Sequence, residues 1–423
     1  MKNIIVIGSG ISGLSSAWWL QKKFPSAHIL ILEKAPSPGG LLHTKKCEEF
    51  LFDLGPKGFL TRGEGLFTLK LIDELGLNEA LIFSDKTAKN RYIHYKGKTK
   101  KISLWSLLQE GLLTALMKDF FAPRNPNDSS VEAFLQRHSS KNLTKHILNP
   151  IITAIRAGKS PHLSTYMAFP SLAKREAETG SLLKSALKEM LFPSHAKGTY
   201  SLATLKPSLH LLIETLIKKL SATWRFSSPV IQIHASSDQV QITTPSETLS
   251  ADLAIYTGPL HLLPSLTDLP SIHRMTEKLT PWHFSSTALG WRSANFSLPK
   301  GYGMLFAEVP PLLGIVWNSQ IFPQRAPGTT SLSLLLEGYW HEEDAYACSI
   351  ATISEYLGIF QKPDAFALFS PSDGVPQHNV GFFKAKQQIL PSLPKTLKLA
   401  GQNIAGPGLN RCIASAFKTV SSL

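Results

Sequence analysis

Gly8, Gly10 and Gly13 stand at GxGxxG spacing in Gly8-Ser9-Gly10-Ile11-Ser12-Gly13, and Glu33 follows twenty residues after the last of them. Glycines so spaced suit one task, holding a pyrophosphate against bare backbone. Gly8 permits a tight turn, Gly10 leaves room for the phosphates, and Gly13 lets a helix pack closely on the preceding strand. Ser9, Ile11 and Ser12 complete the turn, and the pyrophosphate sits on the helix N-terminus, where unpaired N–H groups and the helix dipole favour negative charge. Glu33 can accept the ribose hydroxyls there and would repel a 2′-phosphate, which argues against NADP. Lys34 follows it. The pair Gly39-Gly40 with Leu41, and the turn Gly55-Pro56-Lys57-Gly58, bring more backbone toward the same ligand. Spacing alone leaves open which dinucleotide it is.

These residues need strands and helices to place them. Ile4 to Ile7 is a short β-branched run that reads as a buried parallel strand, Leu14 to Phe24 as a helix, and Ala27 to Leu32 as a second strand ending at Glu33. Pro229 to Ile233, Val240 to Ile242 and Ala251 to Tyr256 alternate like strands and are expected to return to the same sheet. Leu397 to Ala400 reads as a strand running through a glycine turn into a helix over Cys412 to Val420, which supplies a second helix N-terminus. Residues 82–200 read as largely helical and residues 285–337 as strand-rich. The expected fold is α/β: a Rossmann-like nucleotide domain of discontinuous segments, 1–80, 201–260 and 386–423, with a helical domain at 81–200 and a β-rich substrate domain at 261–385 between them.

Composition removes whole classes of function. With 43% hydrophobic and 17% charged residues the chain is not disordered. Cys47, Cys348 and Cys412 form no CxxC or Cys/His cluster, so neither disulfide nor structural metal is expected and a reducing compartment fits. GxSxG, HExxH and P-loop signatures are absent, and His138, His146 and His210 share no ligand spacing, so hydrolytic and metal chemistry have no residues to carry them. No run of about 18 apolar residues could span a bilayer as a helix. The formal charge of +14 favours acidic ligands or surfaces, yet no nucleic-acid module appears. Lys86, Lys89, Arg91, Lys96, Lys98, Lys100 and Lys101 form a run without a carboxylate that reads as a basic hairpin. Leu104, Leu108, Leu112, Leu116 and Phe120, widened by Trp105, Leu113 and Met117, give one helix a broad apolar face. It is read first as a core face and second as one lying on a membrane beside the basic run.

The segment Gly8 to Phe59 resembles the FAD-binding half of the flavin amine oxidase and protoporphyrinogen oxidase superfamily. Several later stretches are similar to the porphyrinogen oxidases within it: Val131-Glu132-Ala133-Phe134-Leu135-Gln136-Arg137-His138, Ala157-Gly158 through Pro170-Ser171-Leu172, Pro299 to Leu305, and Leu399-Ala400-Gly401 with Gly406-Pro407-Gly408-Leu409. The resemblance implies FAD as cofactor, a porphyrinogen as substrate and oxygen as acceptor, in haem biosynthesis. It implies Val230 beside the adenine and Gln402, Pro407, Gly408 and Leu409 closing on the flavin. Arg91, in Asn90-Arg91-Tyr92-Ile93, becomes the anchor for a substrate carboxylate, and Gly303, Leu305 and Leu335 line the slot, with no catalytic acid or base assigned. A cytoplasmic location with peripheral membrane contact goes with the resemblance, while oligomeric state is left open. The apolar helix ranks protoporphyrinogen IX before coproporphyrinogen III, with turnover of both expected. An amine or carotenoid oxidase shares the N-terminal motifs and stays open as the other reading. This chain departs from the family pattern at Lys57, where an arginine is usual, at Ala154, where a glycine is, and at Arg411, where an aspartate is. Thr204 to Leu209 also lacks the family's paired glycines.

Overall fold

The computed structural model describes residues 2–191 and 201–423; the expected boundary at residue 200 falls on the segment 192–200, outside the described residues. In chain order, the elements that position the site begin with β1 (Asn3–Ile7), α1 (Ile11–Lys23) and β2 (His28–Leu32). Next come β3 (Arg91–Tyr95), β4 (Lys98–Lys101), α2 (Leu104–Gln109), α3 (Leu112–Phe120) and α4 (Asn149–Arg156). They are followed by β5 (Thr223–Arg225), β6 (Leu253–Tyr256), β7 (Phe284–Trp291), β8 (Gly303–Phe306), β9 (Leu312–Val316) and β10 (Thr330–Glu337). The last are α5 (Glu342–Leu357), β11 (Ala365–Phe369), β12 (Leu397–Leu399) and α6 (Leu409–Ser421).

Five parallel strands make the first sheet, in the order β5-β2-β1-β6-β12. Their near-continuous apolar runs follow from burial on both faces. Ile4, Val6, Ile29 and Ile31 face a core that includes Leu14, Leu20 and Ile413 of α1 and α6. Ile5, Ile7, Leu30 and Leu32 face a second core built around Met275, Phe382 and Leu397. Because β1 has β2 on one side and β6 on the other, the chain leaves its C-terminal end at a topological switch point, where such sheets open a crevice.

A second sheet has seven strands, β11-β7-β10-β9-β8-β3-β4, antiparallel except where β8 runs parallel to β3. From Arg91 to Lys101 the basic run is a hairpin, as read, with Lys96 and Gly97 both at positive φ in its two-residue turn, whereas Lys86 and Lys89 lie in the short helix Lys86–Lys89 before it. That hairpin belongs to this sheet, however, so the helical stretch begins at Leu104 and not at Ile82. Inward Ile93 and Tyr95 explain the difference, since both are buried while Lys96, Lys98 and Lys101 after them are exposed.

Two further expectations are corrected. The strands Gln232–Ala235, Val240–Thr243 and Thr248–Ala251 pair only with one another, as a separate three-stranded antiparallel sheet, and β6 alone returns to the nucleotide sheet. The single helix expected over residues 104–121 is two, broken where Gly111 takes φ +93°. The apolar face does not turn into the core: Trp105, Leu113, Met117 and Phe121 are 66–76% exposed. Polar contacts hold the helices from behind. Glu110 accepts hydrogen bonds from Tyr95 Oη and His146 Nδ1, both at 2.7 Å. Asp119 accepts from Ser181 Oγ and from the N–H groups of Leu182 and Leu183 at 2.7 to 3.0 Å, and pairs with His138. These bonds hold both carboxyl groups below the ordinary carboxylate range, against the opposing push of burial.

Candidate functional site

Three stretches distant in sequence meet at the C-terminal end of β1. The first is the glycine turn, where a Cβ on Gly13 would lie 1.9 Å from the Gly8 carbonyl, so only glycine allows α1 to approach the strand this closely. Ser9 donates to Glu33 Oε2 from its N–H at 2.8 Å and from its hydroxyl at 2.7 Å, while the Ala35 N–H donates to Oε1 at 2.9 Å. The Glu33 carboxylate is therefore fixed at the end of β2, beside the turn. α1 starts at Gly10 with no side-chain cap and no acid in its first turn, which leaves its N–H groups and dipole available to an anion.

The second stretch crosses the turn at Gly39-Gly40. The Gly39 N–H bonds the Ser9 carbonyl at 3.1 Å, and Gly40, at φ +55°, would bring a Cβ within 3.2 Å of the Gly10 Cα. Gly55 follows this stretch so closely that its Cβ would stand 2.1 Å from the Leu41 carbonyl, so the turn through Pro56, Lys57 and Gly58 joins the same wall. The third stretch is C-terminal. Gly401 leaves no room for a Cβ beside Ser12, while Gln402 opens the short helix Gln402–Ala405. Past Gly406 and Pro407, α6 begins at Gly408, at φ +124°, again without a side-chain cap or a first-turn acid. Leu409, its first residue, is buried against α1. Val230 stands two residues beyond Ser228, whose N–H bonds the Glu33 carbonyl at 2.9 Å, so it lies at the ribose-acid end. Lys34 turns its ammonium away to Asp373, at 2.5 Å.

The seven-stranded sheet closes the other side. One face, with Met304, Ile315, Leu334 and Leu336, packs on Ala345 and Ile353 of α5. Side chains alternate along a strand, so the opposite face is set by register. At one level it carries Arg91, Gly303, Val316 and Ser333; at the next, Ile93, Leu305, Gly314, Leu335 and Ser286. Arg91, Gly303, Leu305 and Leu335 thus share one surface. Leu305 and Leu335 are half-buried among fully buried neighbours, and Gly303 cannot carry a side chain, since its Cβ would fall 2.0 Å from the Ile315 carbonyl. The Arg91 guanidinium lies 4.9 Å over the Tyr302 ring. Lys57 bridges cradle and sheet, its ammonium bonding the Asp53 carbonyl and lying 3.5 Å from Ser286 Oγ. Burial pushes this ammonium down to about 7, helped by Arg325 and opposed by the Asp53 carboxylate.

The model of the flavin containing amine oxidoreductase family matches residues 11–349. The chain belongs to that family. It is an FAD-dependent oxidoreductase. Among curated relatives, the protoporphyrinogen oxidase of Bos taurus is 24% identical over 98% of this chain and 96% of its own length. The coproporphyrinogen III oxidase of Bacillus subtilis (strain 168) is 23% identical over 99% and 97%. A crystal structure from Exiguobacterium sp. 255-15, provisionally named a protoporphyrinogen oxidase, superposes over all of this chain and 98% of its own, with TM-score 0.84 and 20% identity. A putrescine oxidase with bound putrescine superposes at 0.74 and 12%, over 100% and 98%. At such identities the superpositions speak for the fold.

The cradle of this flavoenzyme fits FAD. A Cβ on Gly10 would meet nothing nearer than the Gly40 Cα at 3.9 Å, so the space over the turn is open to a pyrophosphate. Gly408 likewise has nothing within 4 Å of its Cβ position, at the start of a helix whose N–H groups can serve the flavin pyrimidine.

Two groups of charges went unseen in the sequence. Arg325 pairs with Asp53 at 2.8 Å, under the Lys57 turn. At the far end, Arg411 donates to the carbonyls of Met167, Ala168 and Ala405, with Glu64 3.6 Å away and Arg156 nearby. The sequence showed of the second group only Arg411, noted as a departure from the family pattern, and a lone arginine in the otherwise uncharged helix before Ala157-Gly158.

Proposed function

We propose that this flavoenzyme oxidises a porphyrinogen to the porphyrin, with oxygen as the terminal acceptor. The observation that carries the reading is the shared face of Arg91, Gly303, Leu305 and Leu335, an apolar surface with a guanidinium at one edge, linked to the cofactor cradle through Lys57 and Ser286. Full-length relatives named for porphyrinogen oxidation support it. FAD, when bound, supplies the two-electron acceptor chemistry. Gly8 to Gly13 hold its pyrophosphate, Glu33 its ribose, Val230 borders the adenine, and Gly40, Leu41, Gly55 to Gly58 and Gln402 to Leu409 surround the ring.

The protein contributes position. Leu305 and Leu335 hold the flat macrocycle, Gly303 keeps the floor free of a side chain, and Arg91 takes a propionate in a bidentate pair. No strong general base is assigned, because the electron-rich pyrroles assist the loss of hydrogen from the methylene bridge and nitrogen protons leave by tautomerisation. Purified protein should carry FAD noncovalently, and anaerobic addition of protoporphyrinogen IX or coproporphyrinogen III should bleach its visible absorption, with porphyrin formed. Bleaching by an amine and by neither porphyrinogen would transfer the assignment to amine oxidation.

The exposed face of α2 and α3 supports peripheral docking at an anionic membrane. Trp105, Leu113, Met117 and Phe121 stand outward close to the basic β3–β4 hairpin, the combination of apolar and cationic surface that interfaces reward. The protein should co-sediment with vesicles containing phosphatidylglycerol, and Leu113→Glu with Met117→Glu should reduce the bound fraction at least severalfold while flavin content stays constant. Equal binding of the double variant would remove this face from the membrane.

A further inference from the structure

Arg156 is placed like a binding residue, with a buried Nε that finds no hydrogen-bond partner among the described residues. It ends α4, which packs on β8 and β9. Three residues on, the Lys159 ammonium reaches Glu337 at 2.5 Å, which sets this end of α4 over the far end of β10. Arg91 is level with Ser333 through Gly303 and Val316, so the two ends of the slot lie four residues apart on β10, about 14 Å at about 3.4 Å per residue. Leu305 and Leu335 lie between them.

The Arg156 guanidinium is stacked 4.8 Å over Phe169, and its Nε is buried without a hydrogen-bond partner. Arg411 next to it donates to three carbonyls, and Glu64 faces both arginines. Lys386 adds a further cation, its ammonium bonded to the Ile404 carbonyl and repelled by Arg411. Burial and Arg411 push Arg156 down to about 10, with Glu64 offsetting only part of this. A guanidinium withdrawn from water and short of an anion is relieved when a carboxylate arrives.

We propose that Arg156 is a second carboxylate anchor, holding an acidic side chain on the edge of the macrocycle remote from Arg91. The inference rests on the porphyrinogen reading and sharpens it. Coproporphyrinogen III carries a propionate on every pyrrole and can engage both ends of the slot; protoporphyrinogen IX carries its two propionates along one edge and can engage only one. Arg156 therefore selects the tetracarboxylate, reversing the order expected from the apolar helix.

Steady-state oxidation of both porphyrinogens by wild type, Arg156→Gln and Arg156→Lys tests this. Arg156→Gln should raise KM for coproporphyrinogen III at least tenfold with kcat changed less than twofold, leave KM for protoporphyrinogen IX within threefold, and be partly rescued by Arg156→Lys. Flavin content and Tm should not move. Wild-type protein supplies an arm that needs no variant: fluorescence titration should show coproporphyrin III binding at least tenfold more tightly than mesoporphyrin IX, which has two propionates. Equal shifts for both substrates, no shift for coproporphyrinogen, or equal affinities for the two porphyrins would overturn the role of Arg156 while leaving the enzyme a porphyrinogen oxidase. Turnover of neither porphyrinogen by wild type would overturn both.

Discussion

Gly10→Val should yield a folded protein that purifies without colour. A Cβ at this position meets only the Gly40 Cα, at 3.9 Å, so the polypeptide has room for the branch. The space it fills is the one the pyrophosphate needs. Expected flavin affinity falls by at least a hundredfold, about 2.8 kcal/mol at about 1.4 kcal/mol per factor of ten, while circular dichroism stays that of the wild type. Gly13→Val should behave differently and fail to fold, because its Cβ would stand 1.9 Å from the Gly8 carbonyl and α1 could no longer lie on the sheet. The pair separates a ligand's space from a packing contact within one hexapeptide. A yellow Gly10→Val protein with full flavin content would show that the pyrophosphate does not cross this turn.

Arg91→Ala should leave the flavin in place and weaken the substrate. Loss of one charge-assisted carboxylate contact costs about 1.5–3 kcal/mol, or roughly 10- to 150-fold in kcat/KM at limiting substrate. Arg91→Lys should recover only part of this, because an ammonium keeps the charge and loses the planar fork. The side chain is exposed and its guanidinium rests on Tyr302, so folding does not depend on it. Normal kinetics at limiting porphyrinogen in Arg91→Ala would return the basic hairpin to the role of a solvated edge.

The cradle was legible because its logic is local. Gly8, Gly10, Gly13 and Glu33 lie within one strand-helix-strand unit, and each has a mechanical reason that neighbouring residues suffice to state. The face of the second sheet was not legible in that way. Arg91, Leu305 and Leu335 become neighbours only through the pairing of β3, β8, β9 and β10, and no periodicity within one segment encodes that register. Resemblance to a family supplied those residues, where patterning could not. Apolar period failed as a guide from Leu104 to Phe120: it runs unbroken through Gly111, whose left-handed backbone divides the helix, and it cannot say whether a stripe faces core or solvent. Tyr95, His146 and His138 decide that, by fixing Glu110 and Asp119 from the opposite side. Arg156 and Arg325 were invisible for a related reason, since the carboxylates that define their settings, Glu64 and Asp53, are far away in the chain.

The crevice is walled by elements almost 400 residues apart in the sequence, β1 and α1 with β12 and α6, and this sets a timetable for its biogenesis. β1 and α1 are made well before β12 and α6, which complete the sheet and supply the second helix N-terminus, and the seven-stranded sheet is made between them. Closing a loop of that length is entropically demanding, and contacts so remote in sequence form late. Until then the inner flank of α1, with Leu14, Ala17 and Trp18, lacks the cover that Ile413 and Ala416 provide. The nascent protein therefore holds an exposed apolar flank until α6 has been made, and cofactor capture waits for that helix.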